Sequence, residues 1–177
     1  MLSLEAKIGL ANSSKNYSGL QLSLFNGSKV SEGVQLGLIN VSNNLEGVQA
    51  GVIYNLSEDS KGVQLGLLNQ NEIMKGVQTG FYNTSDALDG AQAGVLNAAV
   101  NIDGVQLGAV NASVFLNGGQ LGLLANVVTE ELHGVQIAPV CYARDGNYLQ
   151  IGILTLRGAK GPWYKRISPI IGWHKEK

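Results

Sequence analysis

The residues able to do chemistry are few. His133 and His174 are the only histidines and Cys141 is the only cysteine. A metal centre would need three or four ligands converging from distant stretches, and neither C-x-x-C nor H-E-x-x-H brings them together. A Cys141–His133 nucleophile pair would need a third group to orient the imidazole, and none is legible. No Walker-type phosphate loop and no G-x-S-x-G elbow occurs. The G-x-Q-x-G stretches follow strands without opening a helix, which fails the context a dinucleotide site requires. The expectation is a non-catalytic chain with no cofactor and no metal, in which Cys141 is a small, partly buried thiol and His133 a solvated turn residue.

The chemistry that does recur is that of amides. Gln21, Gln35, Gln49, Gln64, Gln78, Gln92, Gln106, Gln120, Gln136 and Gln150 follow one another at gaps of 14, 14, 15, 14, 14, 14, 14, 16 and 14 residues. Each sits in a phrase such as GVQLGLIN at 33–40, GVQLGLLN at 62–69 or GVQLGAVN at 104–111, and a degenerate copy, AKIGLAN at 6–12, puts Lys7 in the glutamine place. With the glycine before V-Q as position 0, position 7 is usually asparagine, as in Asn40, Asn69, Asn83, Asn97 and Asn111. It slips by one to Asn55 and Asn126 in the two long copies, where an extra residue reads as a β-bulge. A primary amide repeated at one interval can donate to the copy before it and accept from the copy after it, so these glutamines and asparagines are expected to form ladders.

The elements that must carry such ladders are strands. Apolar, polar, apolar, glycine, apolar alternates with period two, which predicts odd positions in a core and glutamine on the opposite face. The polar, variable stretch after the asparagine reads as a turn with at most a short second strand. Two strands of about five residues and two turns fill fourteen residues. The expected fold is all-β: a β-solenoid of about eleven 14-residue coils over 1–156, with a C-terminal aromatic cap over 157–177. The rival is an antiparallel meander or barrel with one strand per copy, whose loops should alternate in character every second copy. No such alternation is visible.

Composition agrees with a packed chain. Apolar residues make up 45% and charged residues 14% of the 177 positions, so a disordered polyelectrolyte is excluded, and a formal net charge of −1 gives no reason to expect nucleic acid. The N-terminus lacks the basic region and apolar run of a secretory signal, and no apolar stretch is long enough for a transmembrane helix.

The GVQxGxxN repeat over roughly residues 6–155 resembles the bacterial surface-repeat proteins, which carry tandem copies of this phrase. That resemblance implies a repeat protein exposed at a cell surface. The expected partners are another copy of the chain, as a homo-oligomer or filament, or a protein or surface partner. Two surfaces are candidates for self-association: the first copy, blunted only by Glu5 and Lys7, and a flat even-numbered strip of Gly and Gln. The segment after Leu156 differs, holding both tryptophans and half of the twelve basic residues. It reads as a cap over the last coil, or as a docking patch for a ligand or receptor built from Trp163, Tyr164, Lys165, Arg166 and Trp173.

Overall fold

The computed structural model describes residues 5–158 and 167–175. The protein is all-β: β1 (Glu5–Ile137), β2 (Val140–Arg157) and β3 (Ile167–His174) form one sheet in the order β1-β2-β3, with no helix among the described residues. β1 and β2 are parallel, with Gln136 opposite Gln150 and Ala125 opposite Val140. The offset between the strands is therefore the repeat itself. A meander would reverse direction at this step, so the antiparallel alternative fails here. β3 returns antiparallel along β2, placing Trp173 opposite Leu149 and Ile171 opposite Ile151.

The chain divides into two compact units at Ala87/Leu88. Both bury the same repeat positions. In the first unit the glutamines Gln21 to Gln78 and the asparagines Asn26 to Asn83 are buried, with Leu45 and Met74 at position 12. In the second, Gln92 to Gln150 are buried with Leu88, Ile102, Leu116 and Leu132.

This parity is the reverse of the expected one. Glutamine at position 2 faces inward, while the aliphatic residues at positions 1, 3 and 5 face outward, so the Gly/Gln strip is interior and not a surface. The reason is that an amide inside the stack meets other amides at hydrogen-bonding distance, so its burial leaves little unsatisfied. Glycine fits the same explanation. A Cβ on Gly51 would lie 2.6 Å from Asn55 Oδ1, and one on Gly66 would lie 2.7 Å from Asn55 Nδ2, so position 4 must be bare for the asparagine amides to fit.

Position 0 has a separate requirement. Gly62 has φ 139°, in the region that favours glycine, and a Cβ there would run into the carbonyl oxygen of Gly47. The glycine thus turns the chain and lets one backbone pass close to the next.

The stretch expected to be a turn is strand throughout, with Ser28, Ser42, Ser57 and Asn71 directed inward. Outward pairs such as Leu67-Leu68 and Glu72-Ile73 interrupt strict alternation and mark where the strand bends. In the 16-residue copy the extra length enters in two places. Gln120 and Gln136 are a ladder pair 16 apart, Asn126 pairs with Cys141 at 15, and a register shift between Val128 and Glu131 restores 14.

Candidate functional site

Several interior glutamines use both of their amide hydrogens. Gln49 Nε2 donates to Gln35 Oε1 and to Ser42 Oγ, each at 2.8 Å, and Gln49 Oε1 accepts from Gln64 Nε2 at 2.8 Å. Gln35 repeats the pattern on Gln21 and Ser28 at 2.7 and 2.9 Å. In the second unit Gln106, Gln120, Gln136 and Gln150 each donate to the preceding glutamine at 2.7–2.8 Å. The asparagines form a second column: Asn26 Nδ2 donates to Asn40 Oδ1 and to the Leu36 carbonyl, both at 2.8 Å, and Asn97 does the same with Asn111 and Leu107.

The hydroxyl partners were not anticipated. Ser14, Ser28, Ser42, Asn71 and Ser113 each accept from the glutamine seven residues later. That seven-residue Ser/Asn–Gln spacing is the signal that would have revealed both the inward serines and the inward glutamines.

Cys141 occupies an asparagine place, its Sγ lying 3.5 and 3.7 Å from the carbonyl oxygens of Ala138 and Ile151, which share its one hydrogen. Burial pushes its thiol pKa up, so it is held as the neutral, weakly nucleophilic form. His133 lies outward, 3.8 Å from Glu131, and in the β1–β2 register it stands opposite Asn147 whereas Cys141 stands opposite Asn126. The two do not form a pair.

The outward surface is divided by charge. In the ten glutamine-bearing copies, positions 1 to 7 hold no Asp, Glu, Lys or Arg. Leu22, Leu65, Leu107 and Ile151 are exposed at position 3, and Val52 (63% exposed) and Leu123 (77%) are exposed at position 5. Charges gather elsewhere in the repeat: the residues before Gly33, Gly47, Gly62 and Gly76 are in turn Glu32, Glu46, Lys61 and Lys75, whereas Ser18 precedes Gly19. Lys61 Nζ lies 2.8 Å from Glu46 Oε1, so these positions neighbour one another from copy to copy. That hydrogen bond raises the Lys61 pKa.

At the other end of the chain a groove of about 620 Å³ runs between β2 and β3, lined by Tyr148, Gln150, Arg157, Trp173, His174 and Lys175 among others. His174 Nε2 lies 3.1 Å from Asp145 Oδ1, and its ring is 5.7 Å from that of Tyr148. Trp173 is exposed. Trp163, Tyr164, Lys165 and Arg166, the remainder of the expected docking patch, lie outside the described residues. At the N-terminal end Lys7 Nζ stands 5.5 Å over the Tyr17 ring.

No protein family, curated protein or solved structure matches the chain.

Proposed function

We propose that the chain is a non-catalytic repeat scaffold in which each unit is a stack of 14-residue β-solenoid coils and β3 with its neighbouring aromatic segment acts as the cap. The observation that carries this reading is the amide column. Gln49 is bonded to the glutamines 14 residues before and 15 after, which is what coils lying directly on one another require. The side chains that recur most strictly are thereby committed to holding the chain together, and the outward rows are left as the working surface. The resemblance to bacterial surface-repeat proteins supports presentation of those rows at a cell surface.

Removal of one whole repeat tests the reading. Deleting residues 62–75 takes out fourteen residues and joins Lys61 to Gly76, which leaves every remaining coil in register. The shortened chain should keep its far-UV CD signal and unfold cooperatively at slightly lower urea. Deleting only 62–68 should unfold the region, because it offsets the glutamine and asparagine columns. Equal damage from the two deletions would refute stacked coils.

The groove beside Trp173 favours a second reading, in which the C-terminal segment binds a ligand or receptor. Truncation before Gly161 separates the two: loss of solubility or folding indicates a cap, whereas a folded chain that has lost a binding activity indicates a docking patch.

A further inference from the structure

We propose that the groove between β2 and β3 binds a small organic carboxylate that carries an N–H beside its acid group, of the acylamino-acid kind. The proposal rests on the second reading above, that the C-terminal segment binds a ligand, and names the chemistry of that ligand. The groove holds about 620 Å³, within the range of small-molecule sites, and three separate observations meet in it.

The first is an unused hydroxyl. Tyr148 lines the groove and is only 6% exposed, yet its Oη has no hydrogen-bond partner among the described residues. The other hydroxyls of the lining are committed: Thr155 Oγ1 donates to the Ser168 carbonyl at 2.6 Å, and Ser168 Oγ to the Ile171 carbonyl at 2.7 Å. A buried hydroxyl without a partner carries a cost that an oxygen of a ligand would relieve. Burial pushes the Tyr148 pKa up to about 12, so at neutral pH the group keeps its hydrogen and can donate it.

The second is charge. Arg157 and Lys175 bring two positive charges to the lining. Arg157 Nη1 lies 3.4 Å from His174 Nδ1, and His174 Nε2 lies 3.1 Å from Asp145 Oδ1. With Arg157 donating, Nδ1 accepts and Nε2 carries its hydrogen toward Asp145, which makes the imidazole neutral. The Asp145 carboxylate is thus engaged at His174, and one positive charge is left in excess. The Tyr148 ring is 5.7 Å from the His174 ring, so hydroxyl, imidazole and guanidinium belong to one neighbourhood. An anion of single charge matches it.

The third is the end of the amide column. Gln150 Nε2 donates to Gln136 Oε1 at 2.8 Å, but no donor reaches Gln150 Oε1 among the described residues. Gly172 stands opposite Gln150 and is bare; a Cβ there would lie 3.2 Å from that oxygen and 2.6 Å from Thr155 Oγ1. An N–H of a ligand would therefore continue the column by one step. Tyr148 and Gln150 are both buried and two residues apart on β2, about 7 Å along the strand. One small molecule spans that distance with an acid group at one end and an N–H beside it. A cation would meet Arg157, and a phosphate dianion would set its lone pairs against Gln150 Oε1. A carboxylate carrying an N–H satisfies all three.

The test is a nitrogen-15 NMR titration of the full chain at neutral pH with N-benzoylglycine and with its methyl ester, which keeps the N–H and loses the charge. The acid should saturate with a Kd of roughly 1 mM, shifting the signals of Gln150, Arg157, Gly172 and His174. The ester should bind at least about tenfold more weakly. Tyr148→Phe removes a hydroxyl that bonds nothing among the described residues, so the far-UV CD signal should be unchanged while the Kd rises about five- to tenfold. Arg157→Met should abolish saturation, and Arg157→Lys should retain part of it. If Arg157→Met does not fold, the ester and Tyr148→Phe still decide. The absence of a saturable shift would overturn the proposal. So would an ester that binds as well as the acid, binding that Tyr148→Phe leaves unchanged, or inorganic phosphate that displaces N-benzoylglycine at equal concentration. The second reading is judged separately, by truncation before Gly161: a binding activity lost there while N-benzoylglycine fails here would leave a docking segment whose ligand has other chemistry.

Discussion

Replacing Gln49 by leucine puts the inverted interior to its hardest test. The side chain bonds at both ends, to Gln35 Oε1 and from Gln64 Nε2, and also reaches Ser42 Oγ, all at 2.8 Å. Gln49→Leu preserves approximate volume but leaves the Gln35 oxygen without its donor and the Gln64 amide without its acceptor. Ser42 keeps its bond to Ser57 Oγ at 3.0 Å. Each orphaned buried group costs about 1–3 kcal/mol, and leucine recovers part of this because it brings no amide to desolvate. The net loss should be about 2–4 kcal/mol. Val52→Ala in the same copy, on a side chain 63% exposed, should cost less than about 0.5 kcal/mol. The assay is urea unfolding followed by far-UV CD at a concentration low enough to keep the chain monomeric. A valine interior with glutamine outside predicts the opposite order, a costly Val52→Ala and a neutral Gln49→Leu. That result would refute the amide column as the core of the fold.

Three further outcomes follow from the same interior. Gly62→Ala should destabilise by roughly 2–4 kcal/mol in the same urea assay, because it combines a φ of 139° with a clash against the Gly47 carbonyl. Ser60→Val should raise the thermal midpoint, with a gain of about 1 kcal/mol: the buried Ser60 hydroxyl has no partner among the described residues, and Leu45 and Met74 fill the same place in adjacent copies. Tyr148 should make the fold sensitive to alkali. Its hydroxyl is buried without a partner among the described residues, and desolvation pushes its pKa from 10.0 up to about 12. Above pH 10 the unfolded chain therefore loses this proton before the folded chain does, so the contribution of Tyr148 to stability is constant below pH 10 and declines as pH rises toward 12. Tyr148→Phe should remove that decline in pH-dependent urea titrations, and a decline unchanged in the variant would exclude Tyr148 as its source.

The spacing of the amides is legible in the sequence because a ladder needs identical partners at one interval, and Gln21 to Gln150 supply them. The strand period is legible for the same local reason. Which side of the strand faces inward is not, because alternation is symmetric: GVQLG satisfies period two with either valine or glutamine inside. Hydropathy decides that question wrongly here, since it charges glutamine the full cost of leaving water and credits none of the bonds that Gln35, Gln49 and Gln64 make to one another. Two clues could have reversed the decision. Glycine at positions 0 and 4 flanks the glutamine on its own face, which suits an interior shared with asparagine amides. A serine or asparagine seven residues before the glutamine, as at Ser28, Ser42, Asn71 and Ser113, supplies the other acceptor that Gln35, Gln49, Gln78 and Gln120 use.

The apolar surface is a consequence of that interior. Once amides, serines and a single aliphatic column per repeat fill the inside, the residues at positions 1, 3 and 5 have nowhere to go but outward. Their cost to solubility is offset on the rest of the repeat, where the charged residues are gathered. A chain that needed only a stable stack could place Ser or Thr at these outward positions without disturbing a single ladder bond. Leu, Val, Ile and Phe stand there instead in most rows, without a charge, although the ladder bonds do not require them.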